Sequence, residues 1–243
     1  MIPKIIHYCW FGRGAMPKLA HKCIKSWKKH LPDYEIKEWN EDNFDVNIIP
    51  YTEEAYKSKK YAFVSDYARF KILYEEGGIY VDTDVEVLKN LDKFLNNETF
   101  TGFECNERVA PGLILGSERE SVFMKKMFES YNKSHFIKND GTLNTETVVQ
   151  RITEILVKSG LKLNGEYQKI SGLSVYPTDY FSPKSYATGK IHLSSNTYSI
   201  HHFAASWKPK YQKAEKYFWT LFNLPDYQLI ARIKNKILFL KNS

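Results

Sequence analysis

The sequence predicts a single α/β domain. Residues 1–40 read as a strand, a helix and a second strand, and a helix followed by a strand recurs over residues 61–81. No repeat, low-complexity segment or linker divides the 243 residues, of which 43% are apolar. This length and composition favour one folded domain with a substantial core.

The first three elements follow from hydrophobic periodicity. Residues 4–12, KIIHYCWFG, are a short apolar run ending in glycine, which predicts a buried parallel strand with His7 as a satisfied core histidine. An amphipathic helix follows and ends before Pro32, with lysines between the residues of its buried face, which are Leu19, Cys23, Trp27 and Leu31. The segment YEIKEWN then predicts a second strand.

The clearest helix covers residues 61–76, and Gly77 and Gly78 end it before a strand over IYV. Asn144 is the predicted N-cap of a later helix. The remaining predicted strands cover residues 98–104 and 110–117 and lie near Ile170, Val175, Ile191 and Ile200. The remaining predicted helices cover residues 118–133 and 144–160 and lie near Tyr217 and Ile233.

Charge separates the C-terminal tail from the rest of the chain. Eight lysines and arginines follow residue 207 against Glu215 and Asp226, so the tail carries six of the seven net positive charges. The near-neutral body argues against a nucleic-acid-binding protein. In the tail, an apolar face of Ile230, Ile233, Ile237 and Leu240 predicts a helix. That helix either packs on the domain or lies on an anionic inner membrane leaflet.

The composition also bears on the compartment. No apolar run approaches the roughly 20 residues that cross a bilayer, and the N-terminus lacks the pattern of a signal peptide. We therefore expect a cytoplasmic protein that is peripheral on the inner leaflet if the tail binds there. Cys9, Cys23 and Cys105 have no metal-like spacing, and we expect free buried thiols.

Asp82 and Asp84 come directly after the strand that follows Gly78. Ligands of open α/β sheets bind beyond the carboxyl ends of strands, and hard cations prefer carboxylate oxygens. Residues i and i+2 of a strand point the same way, so both aspartates are predicted to face one cation while Thr83 points away. A bare D-x-D is common by chance, and a solvated strand end explains it equally well.

Two other function classes fit part of the pattern. The segment YVDTDVEV also matches the D-x-D-x-[TV] motif of haloacid-dehalogenase-type phosphatases, in which the first aspartate, here Asp82, attacks phosphorus. That motif normally lies on the first strand of its domain, whereas a long stretch of chain precedes it here. A non-catalytic binding module driven by the basic tail is the third hypothesis.

Three separated blocks, IPKIIHYCWFG, FVSDYARFKILYEEGGIYVDTDVEV and YSIHHFAASW, resemble the DXD-containing sugar transferases. These include bacterial capsular-polysaccharide and lipooligosaccharide transferases, yeast-type initiating α-mannosyltransferases (glycosyltransferase family 32) and, more distantly, the glucosyltransferase domain of large clostridial toxins. The longest match is the pattern S-D-x-x-R-x-x-x-L-x-x-x-G-G-x-Y-x-D-x-D. It comprises Ser65, Asp66, Arg69, Leu73, Gly77, Gly78, Tyr80, Asp82 and Asp84.

The resemblance implies a role for each matching residue. Asp82, Asp84 and Arg69 are the implied catalytic residues, and Asp82, Asp84 and His201 the implied ligands of Mn²⁺ or Mg²⁺, with His202 as the alternative histidine. Asp66 and Arg69 lie three apart on a helix, so a local ion pair is the alternative to donor binding. The implied nucleotide-sugar-binding residues are Trp10, Asp66, Arg69, Tyr80, Asp82, Ser206 and Trp207. Asn144 and Thr145 are weak candidates in the loosely matching middle region.

The resemblance also implies fold and activity. The expected fold is GT-A, the Rossmann-like fold of nucleotide-diphospho-sugar transferases, in one domain. Residues of about 1–105 form its nucleotide-sugar half, about 106–207 its acceptor half and lid, and about 208–243 its basic C-terminal helices. The expected activity is a metal-dependent, retaining transfer from a nucleoside-diphosphate sugar, expected to be UDP-linked. The acceptor is a glycan or lipid-linked saccharide of surface (capsular or lipopolysaccharide) polysaccharide synthesis.

Overall fold

The computed structural model describes residues 1–204, which form an eight-stranded main sheet, a two-stranded sheet and six α-helices. The strands are β1 (Ile5–Cys9), β2 (Glu35–Trp39), β3 (Gly78–Tyr80), β4 (Val85–Val87), β5 (Thr99–Cys105), β6 (Arg108–Val109), β7 (Leu115–Ser117), β8 (Gln168–Ile170), β9 (Leu173–Tyr176) and β10 (Ser199–His201). The helices are α1 (Lys18–His30), α2 (Pro50–Lys57), α3 (Tyr61–Glu76), α4 (Val122–Glu129), α5 (Val148–Lys158) and α6 (Thr178–Phe181).

The main sheet has the order β2–β1–β3–β7–β5–β9–β8, and β6 pairs with β5. β1 lies between β2 and β3 and is parallel to both, as predicted, so the carboxyl ends of β1 and β3 meet at one edge. β7 is antiparallel to both of its neighbours, and it joins β3 to β5. The predicted α/β class is confirmed. Because β7 follows residue 105 in sequence, one sheet runs through both predicted halves.

Apolar residues pack in two clusters. One contains Val64 and Ile72 of α3 with Met124 of α4, and the other contains Trp27 of α1 with Val81 after β3. All five are fully buried. The two clusters fix α1 and α3, which both precede the DXD segment (residues 82–84) in sequence, against the sheet.

The Gly-Gly turn after α3 has two separate requirements. Gly77 caps the helix with φ +68°, a left-handed conformation that favours glycine. Gly78 has φ +97°, and a Cβ there would lie 2.8 Å from Nε2 of His7.

His7 itself is fully buried. Its Nε2 lies 2.8 Å from the Gly77 carbonyl, and Nε1 of Trp39 donates to its Nδ1 at 3.0 Å. The prediction of a satisfied core histidine is confirmed.

The small sheet carries the C-terminal end of the described chain back to the DXD segment. β10 pairs antiparallel with β4, with His201 opposite Val85. Trp27 ties α1 to the same strand, since its Nε1 donates to the Val85 carbonyl at 2.7 Å. The segment of residues 199–204 therefore lies beside Asp84 although it is more than a hundred positions away in sequence.

Several predicted boundaries were wrong. The helix predicted from residue 144 begins at Val148, because Thr147 and Gln150 form a capping box and Asn144 is not the cap. Near Ile191 there is only an isolated bridge to Lys184, and of residues 110–117 only the last three form a strand. α2 was not predicted. The helices predicted near Tyr217 and Ile233 lie outside the described residues.

Two predictions from composition can be compared with the structure. The three cysteines are free, and Cys9 and Cys23 are buried while Cys105 is partly exposed. Among residues 1–204, the helices are too short or too polar to cross a membrane.

Candidate active site

The two aspartates lie in a turn between β3 and β4. β3 ends at Tyr80, and the Val85 amide donates to the Asp82 carbonyl at 3.0 Å, which closes the turn. The Asp82 amide in turn donates to the Gly112 carbonyl at 3.0 Å. We predicted that both carboxylates face one cation because residues i and i+2 of a strand point the same way. That explanation was wrong, because Asp82 and Asp84 lie in a turn. The turn, and the residues that contact each carboxylate, bring the two side chains together.

The Asp82 carboxylate has three close neighbours. The Tyr80 hydroxyl donates to Oδ1 at 3.0 Å, and Nη1 of Arg69 lies 3.5 Å from the same oxygen. The third neighbour is Gly112, where an added Cβ would lie 2.1 Å from Asp82 Oδ2. Gly112 thus leaves the space that this carboxylate occupies.

The Asp84 carboxylate meets the C-terminal end of the described chain. His201 Nε2 lies 3.0 Å from Oδ1, and the Ala204 amide donates to Oδ2 at 2.7 Å. Burial alone would raise the pKa of Asp84, but His201 and the backbone donors lower it below its ordinary value. Burial would also lower the pKa of His201, yet the neighbouring Asp84 raises it. The carboxylate is therefore held ionised.

The neighbouring histidine has a different partner. His202 Nε2 lies 2.8 Å from Oε2 of Glu86, which also pairs with Lys22 at 2.8 Å. The His202 amide donates to the Asp84 carbonyl at 3.0 Å. Of the two histidines that the sequence offered, the structure brings His201 to the aspartates.

Asp82, Asp84 and His201 form a cluster with one ligand atom from each within 4.8 Å of the others. Nδ1 of His201 is buried and has no hydrogen-bond partner among residues 1–204. Two carboxylates and an imidazole are a donor set that suits Mn²⁺, since carboxylate oxygens prefer hard cations and imidazole suits transition metals. The residues present fit the predicted cation.

Arg69 and Asp66 form the buried base of the site. Arg69 Nη2 donates to Asp66 Oδ1 at 2.8 Å, and the guanidinium lies 4.7 Å from the centroid of the Tyr80 ring. The local ion pair foreseen from the spacing therefore exists, but it does not use all donors. Nη1 of Arg69 is buried without a hydrogen-bond partner in the described chain, although Asp82 is 3.5 Å away. Burial raises the pKa of Asp66 to about 6, against the opposing effect of Arg69.

Trp10 lies in the loop after β1, at the same edge of the sheet. The side chain is partly buried, and its Nε1 donates to the Gly14 carbonyl at 2.6 Å. The loop turns at Gly12, which has φ +92° and packs against the Tyr61 ring. The predicted residues Ser206 and Trp207 lie outside the described residues.

Some features of the site were not predicted from the sequence. Gly112 comes from the loosely matching middle region, and only the dipeptide Pro111–Gly112 hinted at a turn there. The Ala204 amide acts through the backbone, which no side-chain pattern reveals. Glu86 has one detectable signal, since it continues the spacing of Asp82 and Asp84 by two residues.

Comparisons with known proteins agree with this geometry. Residues 17–101 match a family described as "Glycosyltransferase sugar-binding region containing DXD motif". The chain is 27% identical over 237 residues to the uncharacterized glycosyltransferase L373 of Acanthamoeba polyphaga mimivirus, covering 90% of this chain and 88% of that protein.

Two yeast enzymes match shorter stretches. Inositol phosphoceramide mannosyltransferase 3 of Schizosaccharomyces pombe is 35% identical over 99 residues, which cover 39% of this chain and 28% of that enzyme. The initiation-specific alpha-1,6-mannosyltransferase of Candida albicans is 27% identical over 128 residues, or 49% and 32% of the two chains. The chain thus matches about a third or less of each yeast enzyme.

Among solved structures, a glycosyltransferase involved in glycosylating the major capsid of PBCV-1 is similar with a TM-score of 0.47 and 12% identity. That similarity covers 88% of this chain and 97% of the other. The α/β fold class and the resemblance to the DXD-containing sugar transferases predicted from the sequence are confirmed, and the matching proteins support the predicted enzyme class, a glycosyltransferase.

Proposed function

We propose that the protein is a metal-dependent, retaining glycosyltransferase that uses a UDP-sugar donor and a glycan or lipid-linked saccharide acceptor. The observation that carries the proposal is the convergence of Asp82, Asp84 and His201 at the carboxyl end of β3. Beside them Arg69 offers a buried nitrogen that has no partner among residues 1–204. Unpaired buried polar atoms are costly, so their concentration at one place indicates a polar ligand.

The cation of this proposal is Mn²⁺, with Mg²⁺ as the alternative. When bound, it would supply positive charge that offsets the charge of the departing diphosphate. Asp84 is the first choice for direct coordination, together with His201. Asp82 contributes either through a water molecule or by accepting a hydrogen bond from the ribose. Its orientation is fixed by the Tyr80 hydroxyl in either case.

Arg69 and Asp66 are proposed to bind the donor beside the cation. Arg69 is almost fully buried, and its Nη1, which has no hydrogen-bond partner within residues 1–204, is suited to a phosphate or sugar oxygen because guanidinium donors bind anionic oxygens strongly. Asp66 accepts from sugar hydroxyls in this scheme and holds Arg69 in place. Retention at the anomeric carbon requires no dedicated general base opposite the leaving group, and we assign none.

The remaining donor contacts are proposed for Trp10, which would stack on the base, and for Ser206 and Trp207, which would close over the diphosphate. Trp10 is partly buried in the loop at the sheet edge where ligands of α/β proteins bind. Stacking of an aromatic ring on a base is worth about 1–3 kcal/mol.

The acceptor is proposed to be a lipid-linked or surface glycan made at the cytoplasmic face of a membrane. The name of the fission-yeast relative states that it acts on a lipid, inositol phosphoceramide. The basic tail of residues 208–243, with six net positive charges, would hold the enzyme near such a substrate. Asn144 and Thr145 stay candidate acceptor residues.

The test is a donor screen. Purified protein with Mn²⁺ and no acceptor is incubated with a panel of nucleotide sugars, and release of the nucleoside diphosphate is measured. We expect slow, Mn²⁺-dependent hydrolysis of one UDP-sugar that chelation abolishes. Absence of hydrolysis across the panel, together with absence of Mn²⁺-dependent UDP binding, would refute the proposal.

The same screen separates the alternative functions. A phosphatase that uses Asp82 as nucleophile would release phosphate from simple phosphoesters without any sugar donor. In the structure Asp82 follows β3, not the first strand of the domain, which does not favour that alternative. A non-catalytic binding module would keep its binding unchanged when Asp82 and Asp84 are replaced.

A further inference from the structure

The exposed face of α1 is a strip of positive charge. Five lysines of this 13-residue helix are exposed, and they are Lys18, Lys22, Lys25, Lys28 and Lys29. At 100° per residue they fall within an arc of about 120°, and the helix is about 20 Å long. His21 lies within the same arc. The other side of α1 is docked rigidly, because Cys23 and Trp27 are fully buried in the core.

Little negative charge offsets the strip. α1 contains no aspartate or glutamate, and within residues 1–204 only Lys22 of the five lysines has a carboxylate partner, Glu86. A solvated surface helix usually mixes both signs of charge, because pairs of opposite sign at i,i+4 stabilise it. α1 instead places like charges at that spacing, as between Lys18 and Lys22 or Lys25 and Lys29, which is destabilising unless an anionic partner is met.

The strip begins at the edge of the sheet that carries the candidate active site. β1 runs parallel to β3, and the loop after β1 leads into α1, so the N-terminal end of α1 lies at the same edge as Asp82 and Asp84. Lys22 pairs with Oε2 of Glu86, and the same oxygen lies 2.8 Å from Nε2 of His202, the residue next to His201. A surface bound to this strip would therefore lie close to the entrance of the site.

We propose that the lysine strip of α1 docks the enzyme on the phosphate headgroups of an anionic membrane. The exposed face contains only lysines and histidine. Trp27, the tryptophan of α1, lies on the opposite side of the helix and is buried. Recognition of bases or sugars uses exposed aromatic rings for stacking, which this face lacks. A straight row of compact ammonium groups suits a flat array of phosphates.

The experiment is cosedimentation of the full-length protein with vesicles. Vesicles of phosphatidylglycerol mixed with phosphatidylcholine are compared with pure phosphatidylcholine at low and high salt. The test variant combines Lys18→Gln, Lys25→Gln and Lys29→Gln, since glutamine keeps the helix propensity of lysine. The matched control combines Lys133→Gln, Lys162→Gln and Lys169→Gln, which removes the same charge from exposed positions elsewhere.

Each base near an anionic surface strengthens binding about fivefold, so the α1 variant should bind about a hundredfold more weakly at low salt. The control variant should bind like the wild type, and high salt should release both. Equal losses in the two variants would overturn the proposal, as would unchanged binding of the α1 variant or no binding by the wild type. Donor hydrolysis without vesicles should be the same in all three proteins, so failure of the docking proposal is distinguishable from failure of the proposed function.

Discussion

Gly112→Ala should displace Asp82 while leaving the fold intact. Gly112 does not have a positive φ, so alanine is compatible with its backbone conformation. The new Cβ, however, would lie 2.1 Å from Asp82 Oδ2, 2.9 Å from its Cγ and 3.1 Å from Arg69 Nη1. Because the carboxylate cannot stay within 3.0 Å of a Cβ, it must turn away and weaken the hydrogen bond from Tyr80.

The expected size of the effect follows from the role of Asp82 in the cation site. Disturbing groups that orient metal ligands typically costs 10–100-fold in affinity. We therefore expect Mn²⁺ to bind about 10–100-fold more weakly to Gly112→Ala, with a comparable loss in kcat/KM for donor hydrolysis. Mn²⁺ affinity can be measured by calorimetry or electron paramagnetic resonance in the absence of donor, so the readout does not depend on activity.

Two glycines provide controls for the added methyl group. A Cβ on Gly14 would meet nothing within 4 Å, so Gly14→Ala should keep wild-type Mn²⁺ affinity. A Cβ on Gly116 would lie 2.0 Å from the Phe100 ring, away from the aspartates, so Gly116→Ala should lower stability without a specific loss of Mn²⁺. Wild-type Mn²⁺ affinity in a folded Gly112→Ala variant would refute the placement of Asp82 in the cation site.

Three further predictions address other parts of the molecule. Trp10→Ala should weaken UDP binding by about tenfold or more, since base stacking is worth about 1–3 kcal/mol; calorimetry on the folded variant showing unchanged affinity would contradict stacking. Burial lowers the pKa of His7 to about 4, so as the pH falls the unfolded chain binds a proton at His7 before the folded chain does. This difference contributes about 3 kcal/mol to the free energy of unfolding above pH 6.5, and the contribution is lost as the pH falls through 4. Urea unfolding across this range should show a smaller pH dependence for His7→Gln, and parallel curves for the two proteins would argue against it. A chain ending at Pro225 should sediment less with anionic vesicles than the full-length chain if the tail binds membranes, whereas equal sedimentation would leave the tail as packing.

The elements that were predicted correctly are those with a strong local signal. α1 has a clear apolar face, and Gly77 ends α3 through a conformation that few other residues adopt. The start of α5 was misplaced because two polar residues, Asn144 and Thr147, both make acceptable caps. Only the reciprocal bonds between Thr147 and Gln150 decide between them.

The candidate site shows a similar division. The motif around Asp66, Arg69, Asp82 and Asp84 was visible because its members lie close together in sequence. The sequence did not decide between His201 and His202, because that choice depends on the register of β10 against β4, a contact between distant segments. Gly112 was missed because it contributes only by lacking a side chain. That lack matters because the Asp82 carboxylate occupies the space where a Cβ would lie, which the structure shows and the sequence does not.

The central claim is that Asp84 holds a divalent cation that the donor diphosphate requires. The most direct measurement is Mn²⁺-dependent hydrolysis of the donor sugar by wild type and Asp84→Asn, with circular dichroism to verify that the variant is folded. An amide does not replace a carboxylate ligand of a hard cation at equal affinity. We predict that the folded variant loses most of its turnover and its response to Mn²⁺. Wild-type turnover with an unchanged Mn²⁺ dependence in Asp84→Asn would contradict the claim and place the cation elsewhere.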